Sequence, residues 1–525
     1  MSVQNVLVAG AWRESRSGKS FAAENPRTCQ AFDETYPVSD WADCDEALDA
    51  AVAAAAELRR LPRASLARFL EAFADRIEAR SGEICAMAHA ETALPLSPRL
   101  ADVELPRTTA QLRAAAVAAR DGSWATATID TAAGIRSCFV PIGPVCVFGP
   151  NNFPLAFNSA SGGDFAAAIA AGNPVIAKAN SSHPATTRLL AEAAHGAVVD
   201  SKMPAATVQL IYRTSHEDGE RLVADPRMGA TGYTGSRSAG LKLKAAADRA
   251  GKPIYLELSS INPVVFLAGA LDERFDAVVD EYAGSCLMGT GQFCTNPGLA
   301  LFVDADAGHR FVAAVAERFR QAPIGTLLSS GVQSQLQTNL ETLIRAGAEV
   351  VAQGGSGGDG YHHANTLLSV DAARFLQCPE VFQTEVFGNV ALAVIAGSVD
   401  EAAQVLRALE GNLTGCIYSH TGGADDVVYD RLAPLLAERV GRLLNDKMPT
   451  GVAVSAAMNH GGPFPATGHP GFTAVGIPAA LRRFARLLCY DNVRTSRLPD
   501  LLANRNPTGN TWRLIDGQWS QSDVG

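Results

Sequence analysis

Residues 145–179, VCVFGPNNFPLAFNSASGGDFAAAIAAGNPVIAKA, decide the fold class. A short apolar run, VCVFG (145–149), ends at Gly-Pro. An Ala-rich helical segment, SASGGDFAAAIAAG (159–172), stops at a glycine, and a second apolar run, PVIAKA (174–179), follows it. TVQLIY (207–212) and PIYLEL (253–258) are further runs of this kind, separated by helix-like segments. Strands alternating with helices at this spacing predict a parallel sheet covered by helices, an α/β fold. Ligands of such sheets sit beyond the carboxyl ends of the strands, so the polar residues just after each run are the candidates for contact.

The flanks extend this picture. In ASLARFLEAFADRIEAR, Leu66, Phe69, Leu70, Phe73 and Ile77 recur every three or four residues, which predicts helix within residues 45–80. SWATATIDTAAGIRSCFVPIG (123–143) alternates around an Ala-Gly turn and reads as a hairpin. Residues 262–455 contain a second set of apolar runs and helical patterns, and the chain after about 495 is polar and expected at the surface. A length of 525 residues implies two to three domains. The net charge of −10 and the lack of a basic stripe exclude a general nucleic-acid binder. Ten cysteines without C-x-x-C pairs read as reduced thiols of a cytoplasmic protein. No signal peptide is evident, and no apolar run is long enough to span a membrane.

CLMGTGQFCTNPG (286–298) places Cys294 between a Gly-Thr-Gly turn and a Thr-Asn-Pro-Gly break. A thiol in such a loop can be approached by substrate and backbone together, as a covalent nucleophile requires. Glu257, in YLELSSINP (255–263), ends an apolar run and offers a carboxylate base. FGPNNFPLAF (148–157) puts the amides of Asn151 and Asn152 at the mouth of the sheet, either in a local turn or as donors to an oxyanion. KANSSHP (178–184) has Lys178, Ser181 and Ser182, with no acid where a ribose-binding carboxylate is expected. Arg213 follows TVQLIY. Each of these alone is more often a surface residue or a helix cap, but together they favour room for a 2′-phosphate. GATGYTGS (229–236) reads as a glycine-rich turn before a helix from about 237 to 250, with amides that could face a pyrophosphate. FQTEVFGN (382–389) carries Glu385 and Phe387. The ten histidines form no metal-ligand spacing, so no metal site is expected, and Cys286 reads as a buried structural thiol.

In order and spacing, FGPNNFP, KANSSHP, GYTGS, LELSSINP, GQFCTNPG and TEVFG resemble the aldehyde dehydrogenase superfamily over residues 5–495. The spellings are similar to its NADP-linked branch, which contains α-ketoglutaric semialdehyde (2,5-dioxovalerate) dehydrogenases and a bacterial fatty aldehyde dehydrogenase. Two departures stand out: Asn151 replaces a usual Trp, and Ser181 replaces a usual Glu. The resemblance implies a Rossmann-like dinucleotide-binding domain (1–122 and 144–258), an α/β catalytic domain (259–475), a β-hairpin oligomerisation arm (123–143 and 476–495) and a C-terminal tail (496–525). It implies Cys294 as nucleophile, Glu257 as base for water and Asn152 as oxyanion donor. It implies Lys178, Ser181, Arg213, Gly235, Ser236, Glu385 and Phe387 around NADP, with NAD possible. A homodimer or homotetramer follows from the arm.

Three rivals remain. A CoA-acylating dehydrogenase generally lacks the glutamate found here as Glu257. A cysteine amidase or protease needs a histidine partner, and none is seen in the stretches carrying Cys294 and Glu257. A non-catalytic protein would not need Cys294, Asn152, Lys178 and Glu257 together. For the substrate, Arg99 and Arg107 in SPRLADVELPRTT are candidates to grip the carboxylate of a semialdehyde. Phe153 and Phe293 would instead favour an aliphatic chain.

Overall fold

The structure, a computed structural model, describes residues 3–471 and 473–525. The four apolar runs form strands Val145–Phe148, Val175–Lys178, Val208–Ile211 and Ile254–Glu257. A fifth strand, Ala230–Thr234, runs parallel between the first and the last of them. The spatial order is therefore 254–257, 230–234, 145–148, 175–178, 208–211, and Val6–Val8 and Ala11–Arg13 extend the far edge antiparallel. The order reverses between 145–148 and 230–234, and that is where an open α/β sheet receives its ligand. Register keeps the carboxyl ends level, since Phe148 pairs with Lys178 and Tyr233, and Thr234 with Glu257.

The expected glycine-rich turn at 229–236 is a correction: most of it is this fifth strand. A Cβ at Gly232 would lie 2.5 Å from Asp164 Oδ2, so this glycine serves close packing inside a strand and not a turn. Only Gly235 and Ser236 turn, and the Ser236 hydroxyl accepts from the Ala239 N–H to cap helix Arg237–Arg249.

Helix Arg63–Ala79 buries Leu66, Phe69, Leu70, Phe73 and Ile77 along its predicted stripe. The second sheet has seven strands, and only its edge strand Glu349–Gly354 runs antiparallel to its neighbour. The hairpin Thr128–Asp130 and Ile135–Pro141 forms as read, and Ala485–Asp491 pairs antiparallel with its second strand. Residues 496–525, expected to lie along the surface as a polar tail, add Arg513–Ile515 and Gln518–Ser520 to the same sheet. Arg513 is fully buried there and donates to the Asn504 and Ser522 carbonyls at 3.2 and 2.8 Å. That element is held by polar groups satisfying one another, which leaves no apolar period to read. Among the described residues, no helix is long and apolar enough to cross a membrane.

Candidate active site

After helix Ala268–Leu287 the chain winds through Gly289, Thr290 and Gly291, all left-handed with φ of 56, 60 and 68°. A Cβ at Gly291 would meet the Gly388 carbonyl oxygen at 2.0 Å, so only glycine lets this loop rest on the one carrying Glu385 and Phe387. The loop is then pinned at both ends. The Gln292 amide donates to the Gly289 and Thr326 carbonyls at 3.2 Å and accepts from the Leu328 N–H at 2.9 Å. Buried Asn262 donates to the carbonyls of Cys294 and Asn296 at 2.9 and 2.8 Å, and its own oxygen accepts from Ser260 and Thr414. Cys294 between these anchors is half-buried. Asn152 Nδ2 donates to the Gln292 carbonyl at 3.0 Å, two residues before Cys294, and its second hydrogen is free of that bond.

The structure supplies the histidine that the sequence did not reveal. His460 Nε2 lies 3.4 Å from Cys294 Sγ and 2.8 Å from Glu257 Oε1. The expectation that the cysteine lacks a histidine partner is therefore corrected. Segment 460–468 has no regular structure of its own but runs alongside the strand bearing Glu257. The Leu258 N–H donates to Ala466 at 2.8 Å, and the Gly468 N–H to Leu256 at 3.2 Å. Thr473 holds the His460 N–H at 2.6 Å. The only sequence signal was a histidine in a polar Gly-Pro loop, NHGGP (459–463). Burial disfavours the imidazolium, yet Glu257 and Cys294 outweigh burial and hold the ring well above its ordinary pKa. Glu257 is itself buried, and its Oε2 has no hydrogen-bond partner.

Two arginines differ sharply. Arg99 is committed to structure: it pairs with buried Glu104 and donates to the Asn152 carbonyl at 3.1 Å. Glu104 in turn accepts from the Leu155 and Ala156 N–H groups at 2.8 and 3.0 Å, so this pair shapes the loop that presents Asn152. Arg107 spends one nitrogen on the Val452 carbonyl at 2.9 Å, and its buried Nε and Nη2 have no partner. Its guanidinium lies 5.7 and 5.1 Å from the Phe153 and Phe157 ring centres. Phe157 in turn borders His460, and Phe153 borders Phe293. Burial lowers the Arg107 pKa, with the charge of Cys294 as the largest opposing influence. Arg442, also missed in the sequence, is held by the Pro449 and Gly451 carbonyls and likewise feels Cys294.

Of the remaining candidates, Lys178, Ser181, Arg213, Gly235 and Ser236 follow the carboxyl ends of the first sheet, and Glu385 and Phe387 lie in the loop before strand Val390–Ile395 of the second. Burial, opposed by Cys146 and aided by nearby Arg213, pulls the Lys178 ammonium down to about 8. Among the described residues no carboxylate pairs with Lys178, and its Nζ sits 5.9 Å from the Phe148 ring centre. Ser181 is half-buried and Arg213 exposed. The Gly235 N–H donates to the Glu257 carbonyl at 3.1 Å, which ties that turn to the base. Burial pushes the Glu385 carboxyl up to about 7 against hydrogen bonds from Ser259 and the Ser260 backbone. A narrow cleft is lined by Glu385 and Phe387 together with Gly291, Phe293 and Ser260. Of the predicted residues, Cys294, Glu257 and Asn152 are joined by hydrogen bonds through His460 and the loop at Gln292, while Glu385 and Phe387 line the cleft together. Cys286 is a buried thiol outside both groups, as expected.

Comparison with known proteins places this geometry. The model of the aldehyde dehydrogenase family matches residues 12–433. The chain is 39% identical to α-ketoglutaric semialdehyde dehydrogenase 2 of Azospirillum brasilense, over 99% of this chain and 100% of that one. It is 36% identical to α-ketoglutaric semialdehyde dehydrogenase of Acinetobacter baylyi, over 91% and 92% of the two chains. Its fold is similar to that of aldehyde dehydrogenase C of Pseudomonas syringae, solved with NAD+ and octanal. That match has a TM-score of 0.80 at 20% identity and covers 94% and 98% of the chains.

Proposed function

The chain belongs to the aldehyde dehydrogenase family and is an NAD(P)-dependent oxidoreductase; from that premise we propose that it oxidises α-ketoglutaric semialdehyde to 2-oxoglutarate, preferring NADP. The observation that carries the substrate reading is Arg107, a half-buried cation that feels the charge of Cys294 and whose buried Nε and Nη2 are unspent. A carboxylate at the far end of the aldehyde would take both in a forked pair. The names of the two relatives point the same way.

In the proposed reaction the Cys294 thiolate attacks the aldehyde carbon, and His460 stands in contact to take the thiol proton. Asn152 and the Cys294 backbone N–H stabilise the resulting oxyanion; one such donor is typically worth about 3 kcal/mol. A bound nicotinamide would supply the acceptor for the hydride that leaves this sulfur-bonded carbon as the oxyanion collapses. Cys294 then carries a thioester. Glu257 takes a proton from the water that attacks it, which releases the acid and frees the sulfur. Retention of Glu257 argues for water over CoA as acyl acceptor.

The residues suit a dinucleotide bearing a 2′-phosphate. Lys178 has no acidic partner among the described residues, Arg213 is exposed beside it, and position 181 carries a small hydroxyl. Gly235 and Ser236 would meet the pyrophosphate at a helix N-terminus. Glu385 would hold the nicotinamide ribose, with Phe387 alongside. Residues 1–122 and 144–258 would then bind the cofactor, 259–475 supply the catalytic thiol, and the arm of 123–143 and 476–495 join copies into a homodimer or homotetramer.

Two tests follow. Arg107→Met lowers kcat/KM for the semialdehyde about 100-fold, a loss of about 2.7 kcal/mol, and leaves hexanal within a few-fold. Equal losses for both substrates would refute a carboxylate clamp and favour the alternative, a broad or long-chain aliphatic aldehyde dehydrogenase. The second test concerns pH. Lys178 is charged below about 8 and neutral above it, and it is faced by Arg213, Cys146 and His183. The KM for NADP therefore rises as pH climbs through this value, while that for NAD stays flatter. NADP binding above it takes up a proton, measurable by calorimetry in buffers of different ionisation enthalpy. A pH-independent ratio of the two KM values contradicts the assignment.

A further inference from the structure

Glu257, Cys294 and His460 present a carboxylate oxygen, a sulfur and an imidazole nitrogen that all lie within 4.8 Å of one another. From this the geometry points to an inhibitory Zn²⁺ site built from these three side chains, in which the metal closes the reactive sulfur reversibly.

The donor set suits zinc. Zn–S bonds of about 2.3 Å and Zn–N and Zn–O bonds of about 2.0–2.1 Å in a tetrahedron require S···N and N···O edges of roughly 3.6 and 3.4 Å. The Sγ to Nε2 separation is already 3.4 Å, Nε2 to Oε1 is 2.8 Å, and all three atoms lie within 4.8 Å of one another, so a swing of the Glu257 carboxylate by about an ångström at most brings the N···O and S···O edges to these lengths. Glu257 is buried and its second oxygen, Oε2, has no hydrogen-bond partner, so the carboxylate has a spare acceptor to turn toward a metal. His460 presents the same nitrogen to both neighbours, so its Nε2–H points between them and the lone pair is bared there once that proton leaves. A thiolate, a carboxylate and a neutral imidazole also cancel the charge of a divalent ion, which favours occupancy in a pocket with little water. Sulfur and nitrogen donors select zinc over magnesium or calcium. On binding, Zn–S, Zn–N and Zn–O bonds form, and the protons on Cys294 and His460 pass to solvent. No electrons change hands. The fourth position stays open, while the sulfur lone pair needed for attack is committed to the metal.

The site goes beyond the substrate reading, and its test does not use turnover. Zn²⁺ is titrated into the full chain against a chromophoric chelator, in a background with the exposed thiols Cys29 and Cys489 replaced by serine. The expected result is one Zn²⁺ per chain, bound at least about 100-fold more weakly in His460→Gln and in Glu257→Gln. In parallel, Co²⁺ added to the same background without site substitutions gives a thiolate-to-cobalt charge-transfer band with intense ligand-field bands of four-coordinate geometry, and Cys294→Ser removes the former. The positive spectrum needs no substitution within the site itself. An affinity unchanged in His460→Gln while Cys294 still reacts with iodoacetamide overturns the site, because the metal then rests on a lone thiol. Weak six-coordinate cobalt bands overturn it as well.

Discussion

Cys294→Ser abolishes aldehyde oxidation, lowering kcat at least about 10⁴-fold, or about 5 kcal/mol of barrier, while NADP affinity stays within a few-fold. An alkoxide is far harder to form than a thiolate, and an alcohol ester would be hydrolysed more slowly than a thioester. Placement of the thiol is not altered by the exchange, because Asn262 holds the backbone carbonyl of residue 294 and not its side chain. The check pairs spectroscopic turnover with fluorescence titration of NADPH. Retained turnover removes the covalent scheme, and lost cofactor binding shows that the loop has collapsed and the variant reports on folding.

Glu257→Gln produces the second large effect. One equivalent of reduced nicotinamide forms per chain in a rapid burst, and steady-state turnover then falls about 10³-fold, within the range of lost general-base catalysis. Mass spectrometry of the acid-quenched enzyme finds the acyl group on Cys294. The amide keeps a hydrogen-bonding oxygen for His460 but cannot take a proton from water. Loss of the burst along with turnover assigns Glu257 to the first half of the reaction, acting through the imidazole that it touches at 2.8 Å.

Much of this was readable in the sequence because the central strands are apolar on both faces. Val145–Phe148 and Val208–Ile211 are buried at every position, so each stands out as an unbroken run. Cys294 and Glu257 sit at loop and strand-end positions where chemistry belongs, so residue type and position agreed. Other features were hidden because they depend on contacts between distant segments. His460 stands 166 residues from Cys294 in a loop without periodicity. Arg99 and Arg107 looked equivalent in one short stretch, and only the folded position of Glu104 shows that the first is neutralised by a buried carboxylate and keeps one donor unpaired, while the second keeps two. Gly232 was misread because glycine marks a close approach as often as a turn, and the approaching group, Asp164, is 68 residues earlier in sequence.

Where Gly291 meets Gly388, two main chains touch with no side chain to act as a cushion. A sugar settling against Glu385 would therefore push on the same rigid seam that sets the height of the sulfur. Grip on the coenzyme and aim of the nucleophile thus cannot be adjusted separately: a bulkier residue at either glycine would detune both at once.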